Sequence, residues 1–119
     1  MTEQAIMKPE VWLECILEVL EEIADRSYQR QAWFGKGESI SSPTEVYCSL
    51  FDDFMFDDFL ASSEFKLTPE QRELAEILRV KMNRFSDVIG DQPDPNFVLD
   101  HPTWIEVSAL ARDLVATFK

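Results

Sequence analysis

Two adjacent carboxylate pairs, Asp52-Asp53 and Asp57-Asp58, are the densest group of chemically capable side chains in the chain. Paired carboxylates do acid–base work or hold a divalent ion when they converge on one point. Neighbours on a helix diverge by about 100°, so neither pair converges alone, and a site would need a kink that turns Asp53 toward Asp57. The other candidates are weaker. His101 stands alone before Pro102 and suits a helix N-cap or a surface position, and no Ser or Cys motif supplies it with a nucleophile. Cys15 and Cys48 fall among apolar neighbours in predicted helices and read as buried, reduced thiols. Two Cys and one His are too few for the usual structural zinc site. Gly35-x-Gly37 is too short for a phosphate loop, and the loop of a calcium-binding hand is absent. The expectation is a protein that is no enzyme and has no cofactor and no metal site.

What positions these residues is a set of amphipathic helices with acid on their outer faces. The chain carries 23 Asp and Glu against 11 Lys and Arg, a net charge of −12 on 119 residues. The charge is not a disordered tail, because 45% of the residues are hydrophobic, among them nine Phe and three Trp. The length suits a single domain spanning residues 1–119. A surface this acidic opposes nucleic-acid binding. The start, Met1 to Glu10, lacks the cationic and apolar regions of a signal peptide, and no stretch approaches the roughly 20 apolar residues of a membrane span. A cytoplasmic protein follows as the expectation.

The periodicity predicts an all-α fold of four to five helices. The first runs from about Pro9 into the region of Ser27 to Trp33. Trp12, Leu13, Ile16, Val19, Leu20, Ile23 and Ala24 fall on one arc. Glu14, Glu18, Glu21, Glu22 and Asp25 fall on the other, with no Lys or Arg to neutralise them. Gln31 to Ser41 reads as a loop. A second helix starts at Ser42-Pro43, with Glu45 closing a capping box. Val46, Tyr47, Leu50, Phe51 and Phe54 share its apolar face. Continued straight, the helix would bring Asp57 and Asp58 onto that face and take Phe56, Phe59 and Leu60 off it, so a break is predicted near Met55 to Phe56. Ala61 to Lys66 is a connection. Thr68-Pro69 with Gln71 opens a third helix that ends at Gly90, its core edge traced by Leu74, Ile77, Leu78, Lys81, Phe85 and Val88. Asp91 to Asp100 reads as a turn or short extended link. A final helix spans about Pro102 to Phe118. Charge is uneven along the chain: residues up to Lys66 hold 14 acids and 5 bases, the remainder 9 and 6.

Several short motifs carry a resemblance. They are Tyr28-Gln29-x-x-x-Trp33, then Asp52-Asp53, then His101-Pro102-x-Trp104-x-x-Val107-x-x-x-Ala111. In this order they resemble small bacterial immunity proteins of the contact-dependent-inhibition and polymorphic-toxin type, over roughly residues 12 to 115. The second pair, Asp57-Asp58, is not part of that pattern. The resemblance implies a protein that binds and blocks a toxin domain and does no catalysis. The charge points the same way, since a nuclease toxin has a cationic site to which an acidic surface is complementary. The expected partner-facing residues are Glu14, Glu18, Glu21, Asp52, Asp53, Asp57 and Asp58; the aromatics that end the first helix read as packing under the following loop, with Trp33 or Phe34 as an apolar anchor for the partner as the alternative. A non-enzymatic adaptor for another basic protein is the alternative. An exposed Phe in the run Phe51 to Phe59 could also serve a homodimer.

Overall fold

Local signals in the sequence set most of the helix boundaries seen in the computed structural model, which describes residues 8–119. Most of the signal-peptide reading therefore lies outside the described residues. Helix α1 covers Pro9–Ala24, with proline in its first turn where no amide partner is needed. Helix α3, Pro43–Tyr47, starts at Ser42, whose hydroxyl accepts from Glu45 N–H at 3.1 Å. Helix α5, Pro69–Ile89, has the full reciprocal box between Thr68 and Gln71 and ends at Gly90, which adopts φ 73°. Helix α7, Pro102–Ala116, is capped by His101, whose Nδ1 accepts from Thr103 N–H at 3.1 Å.

Among the described residues the fold is entirely helical, with no strand, and forms one domain. It has seven helices, two more than the largest number expected, for two reasons. The first expected helix is broken: the Asp25 side chain accepts from Tyr28 N–H at 3.0 Å and starts a separate helix α2, Arg26–Ala32. The segment expected as an extended link instead contains helix α6, Pro95–Asp100, begun by Asp94 accepting from Asn96 N–H at 2.9 Å.

The predicted break in the second helix is present. Helix α3 passes into a π-helical turn, Cys48–Asp53, and Met55 then takes the left-handed conformation at φ 46°, ψ 61°. Helix α4, Phe56–Ala61, starts anew from there. The reversal buries Phe56, Phe59 and Leu60 and leaves Asp57 and Asp58 exposed, which resolves the conflict of phase. Trp12 holds this turn to α1, its indole N–H donating to the Phe54 carbonyl at 2.6 Å.

Helix α7 forms the centre, packing extensively against both α1 and α5. Trp104 is fully buried there, with Trp33, Tyr47 and Phe85 around it. The core edge of α5 is rotated from the expected one. Gln71, Ala75, Leu78, Met82 and Phe85 are buried, whereas Ile77 and Val88 are exposed and Leu74 and Lys81 are half-buried. The small Ala75 faces inward because α7 passes close, so residue size and not hydrophobicity sets the phase. The buried-thiol expectation is also corrected. Cys48 is exposed and Cys15 half-buried, because each lies beside the buried row of its helix, Val46 and Leu50 or Ile16, and not on it.

Candidate functional site

The acidic arc of α1 stays on the outside. Glu14, Glu18 and Glu21 are exposed, while Ile16, Val19, Leu20 and Ile23 hold the opposite face in the core. The break at Asp25 turns this row into a concavity. Where α1 meets α2, a groove of about 360 Å³ is lined by Glu18, Glu21, Glu22, Asp25 and Tyr28. Its carboxylates are partly held in place. Glu22 Oε2 accepts from the Ser41 hydroxyl at 2.6 Å, and Glu21 lies 3.6 Å from Lys119 Nζ. Asp25 is oriented by its capping bond to Tyr28 N–H.

The field of this stripe is felt by its neighbour. The Cys15 thiol is pushed above its ordinary range, first by burial and then by Glu18 and Glu14. Among the described residues, no three His, Cys, Asp or Glu side chains stand close enough to hold a metal ion. Carboxylates spread along a groove beside a phenol ring suit an extended organic cation, such as a lysine or arginine side chain. That cation can bond to several oxygens and lie on the ring face.

The Asp pairs sit apart from this groove. Asp52 and Asp53 are exposed on the π turn, and Asp57 and Asp58 are exposed in the first turn of α4. That first turn is the positive end of the helix dipole, which favours the acids there. Asp57 Oδ1 lies 3.8 Å from Arg79 Nη1 at the surface. Met55 separates the two pairs onto different elements, the π turn and α4.

The two anchors fare differently. Trp33 is a core residue, 6% exposed, its ring centroid 5.7 Å from that of Trp104. It offers no surface to a partner, because the Ser41 amide bonds back to the Ala32 carbonyl and closes the loop over this end of α2. Phe34 lies beyond that closure and is exposed.

Sequence reasoning placed Glu22 and Asp25 on the acidic arc but left them and Tyr28 out of the site. The usable signal was Asp25 itself, an N-cap residue type inside a helical pattern. It also missed the role of Gln29, which is fully buried. Its Nε2 donates to the carbonyls of Glu22 and Ile23 at 2.7 and 2.8 Å, and its Oε1 accepts from Trp104 Nε1 at 3.0 Å. Gln29 thus satisfies the end of α1 and ties it to α7. Of the motif residues behind the family resemblance, Gln29, Trp33, Trp104, Val107 and Ala111 are all in the core.

Compared with family models, with curated proteins and with solved structures, the chain matches none.

Proposed function

We propose that this protein is a non-enzymatic binding module that captures a basic protein through the outer face of α1, and that the partner is a nuclease-type toxin domain which it neutralises. The observation that carries the reading is the groove of Glu18, Glu21, Glu22, Asp25 and Tyr28, continued along α1 by Glu14. It is concave, negatively charged and shaped for cationic side chains. The Asp pairs extend the same sign of charge onto the π turn and α4, which Trp12 joins to α1. A surface of one sign accelerates encounter with a basic partner and disfavours others.

A second reading, an adaptor for a basic protein that is not a toxin, is favoured by one observation. Half of the residues that carry the immunity resemblance, Gln29, Trp33, Trp104, Val107 and Ala111, build the core, and these speak for a fold and not for a partner.

The test begins with the tagged chain as bait in its native host, followed by binding kinetics with the purified partner. We expect a basic protein bound one to one, with association slowing as salt rises. Glu18→Lys together with Glu21→Lys should slow association at least about tenfold. Co-expression then separates the two readings: the immunity reading requires that the partner alone arrests growth and that this chain relieves the arrest. An acidic partner, or association indifferent to both salt and the Glu variants, would sink both.

A further inference from the structure

The cleft between the end of α1, the start of α2 and the end of α7 runs against the charge of the rest of the molecule. It has a volume of about 570 Å³ and is lined by three cations, Arg26, Arg112 and Lys119. Burial pushes the Arg26 guanidinium below its ordinary range, and Arg30 and Arg112 add repulsion that Asp100 only partly offsets. Three of the chain's eleven bases therefore line this cleft, with Arg30 near enough to act on Arg26, in a protein of net charge −12.

The two carboxylates on the cleft wall already have partners. Asp25 accepts from Tyr28 N–H, and Glu21 pairs with Lys119. Arg112 directs Nη2 to the Ala24 carbonyl at 3.3 Å. Arg26 keeps its Nη1 buried with no acceptor. A buried charged donor without an acceptor is costly, and so is the mutual repulsion of crowded guanidinium groups. An anion in the cleft relieves that repulsion.

We propose that this cleft binds a small oxyanion, the phosphate or carboxylate group of a small molecule, with Arg26 and Arg112 as its principal donors. Planar guanidinium groups match both oxyanions through paired hydrogen bonds. Ala24, Val115 and Ala116 supply an apolar wall for the carbon portion. The volume lies in the range of small-molecule sites, roughly 300–1,000 Å³. The cleft shares Glu21 and Asp25 with the acidic groove, but its donors are bases that the groove lacks, and the inference does not rest on the proposed partner.

The experiment titrates sodium phosphate, and separately citrate, into the whole chain, with ionic strength held constant by sodium chloride. Amide and arginine Nε–H resonances report the site, and the thermal midpoint reports the linkage. Saturable shifts confined to the ends of α1 and α7 and the start of α2, with a raised midpoint, are expected. The anion that binds more tightly identifies the group. Arg112→Gln, at an exposed position, should weaken binding at least about tenfold. Arg26→Gln should do the same where it folds. Arg84→Gln, on the exposed face of α5, should leave binding unchanged. Absence of saturation with both anions, or an equal loss in the Arg84 and Arg112 variants, would overturn the proposal in favour of diffuse charge.

Discussion

Gln29 shows how a polar residue can be the most constrained side chain in an apolar core. Three hydrogen bonds use its amide fully, two to the last carbonyls of α1 and one from the Trp104 indole. Replacing it with leucine leaves the indole N–H and the Ile23 carbonyl buried without partners, while the Glu22 carbonyl keeps only the Asp25 N–H. We expect Gln29→Leu to lose about 2–4 kcal/mol in urea unfolding, a large part of a typical domain's stability. None of this was legible in the sequence, where a glutamine in a helical pattern reads as surface, because its partner stands 75 residues away. Met55 is the opposite case. A conflict of phase alone located the break, since no residue type there announces one. Its left-handed backbone is unfavourable for any side chain with a Cβ. Met55→Gly should therefore raise stability by up to about 1 kcal/mol, whereas the β-branched Met55→Val should lower it by more than that. If thermal unfolding puts both variants below the parent, the Met55 side chain contributes more than its backbone costs.

At the scale of the element, α1 combines an apolar face that the fold requires with an acidic face that the fold does not. Glu14, Glu18 and Glu22 stand at i, i+4 spacing, with Glu21 between them and no base on the helix. Each like-charged pair costs a few tenths of a kcal/mol. We expect Glu18→Gln to stabilise the protein by roughly 0.3–0.8 kcal/mol at low salt, and by less at high salt, while slowing partner association. A stabilised variant that binds as fast as the parent would mean that the stripe is only a solvated surface. Periodicity was enough to find this face, because a hydrophobic row and an acidic row repeat together over four turns. It was not enough for α5, where the inward row includes Gln71 and Ala75 and the outward row includes Ile77 and Val88. There the close passage of α7 selects a small residue, and a neighbouring helix cannot be read from one helix's own pattern. For a similar reason a charge control cannot be chosen from the sequence alone. Arg72 donates to the Leu60 carbonyl at 2.8 Å and Arg79 pairs with Glu76 and Asp57, so reversing either disturbs α4 or α5 themselves. Arg84 is the better reference.

At the scale of the whole molecule, Tyr47 links stability to pH. Its hydroxyl donates to the Met82 carbonyl at 2.9 Å, and burial pushes the phenol above its ordinary range. The folded protein therefore keeps this proton after the unfolded chain has released it. The contribution is complete below about pH 10, the value in an unfolded chain, and is lost as pH rises from there toward the folded value. Stability should fall above pH 10 by at most about 1.4 kcal/mol per pH unit from this group, and Tyr47→Phe should remove that slope. Unfolding curves between pH 8 and 11.5 that run parallel for the two proteins would show that other groups govern the alkaline limit. The indole bond from Trp104 to Gln29 bears on order in time. A ribosome releases the acidic α1 long before the helix that covers it, so the nascent chain holds Trp33, Gln29 and the inner row of α1 open until residues near 104 emerge. The Gln29–Trp104 contact therefore forms only after α7 has been made, since it closes a loop over 75 residues. A chain that stops short of α7 keeps the Trp12 contacts that tie α1 to the π turn and α4, but it leaves Gln29 and Trp33 without the indole they pack against and opens the inner row of α1 to proteases.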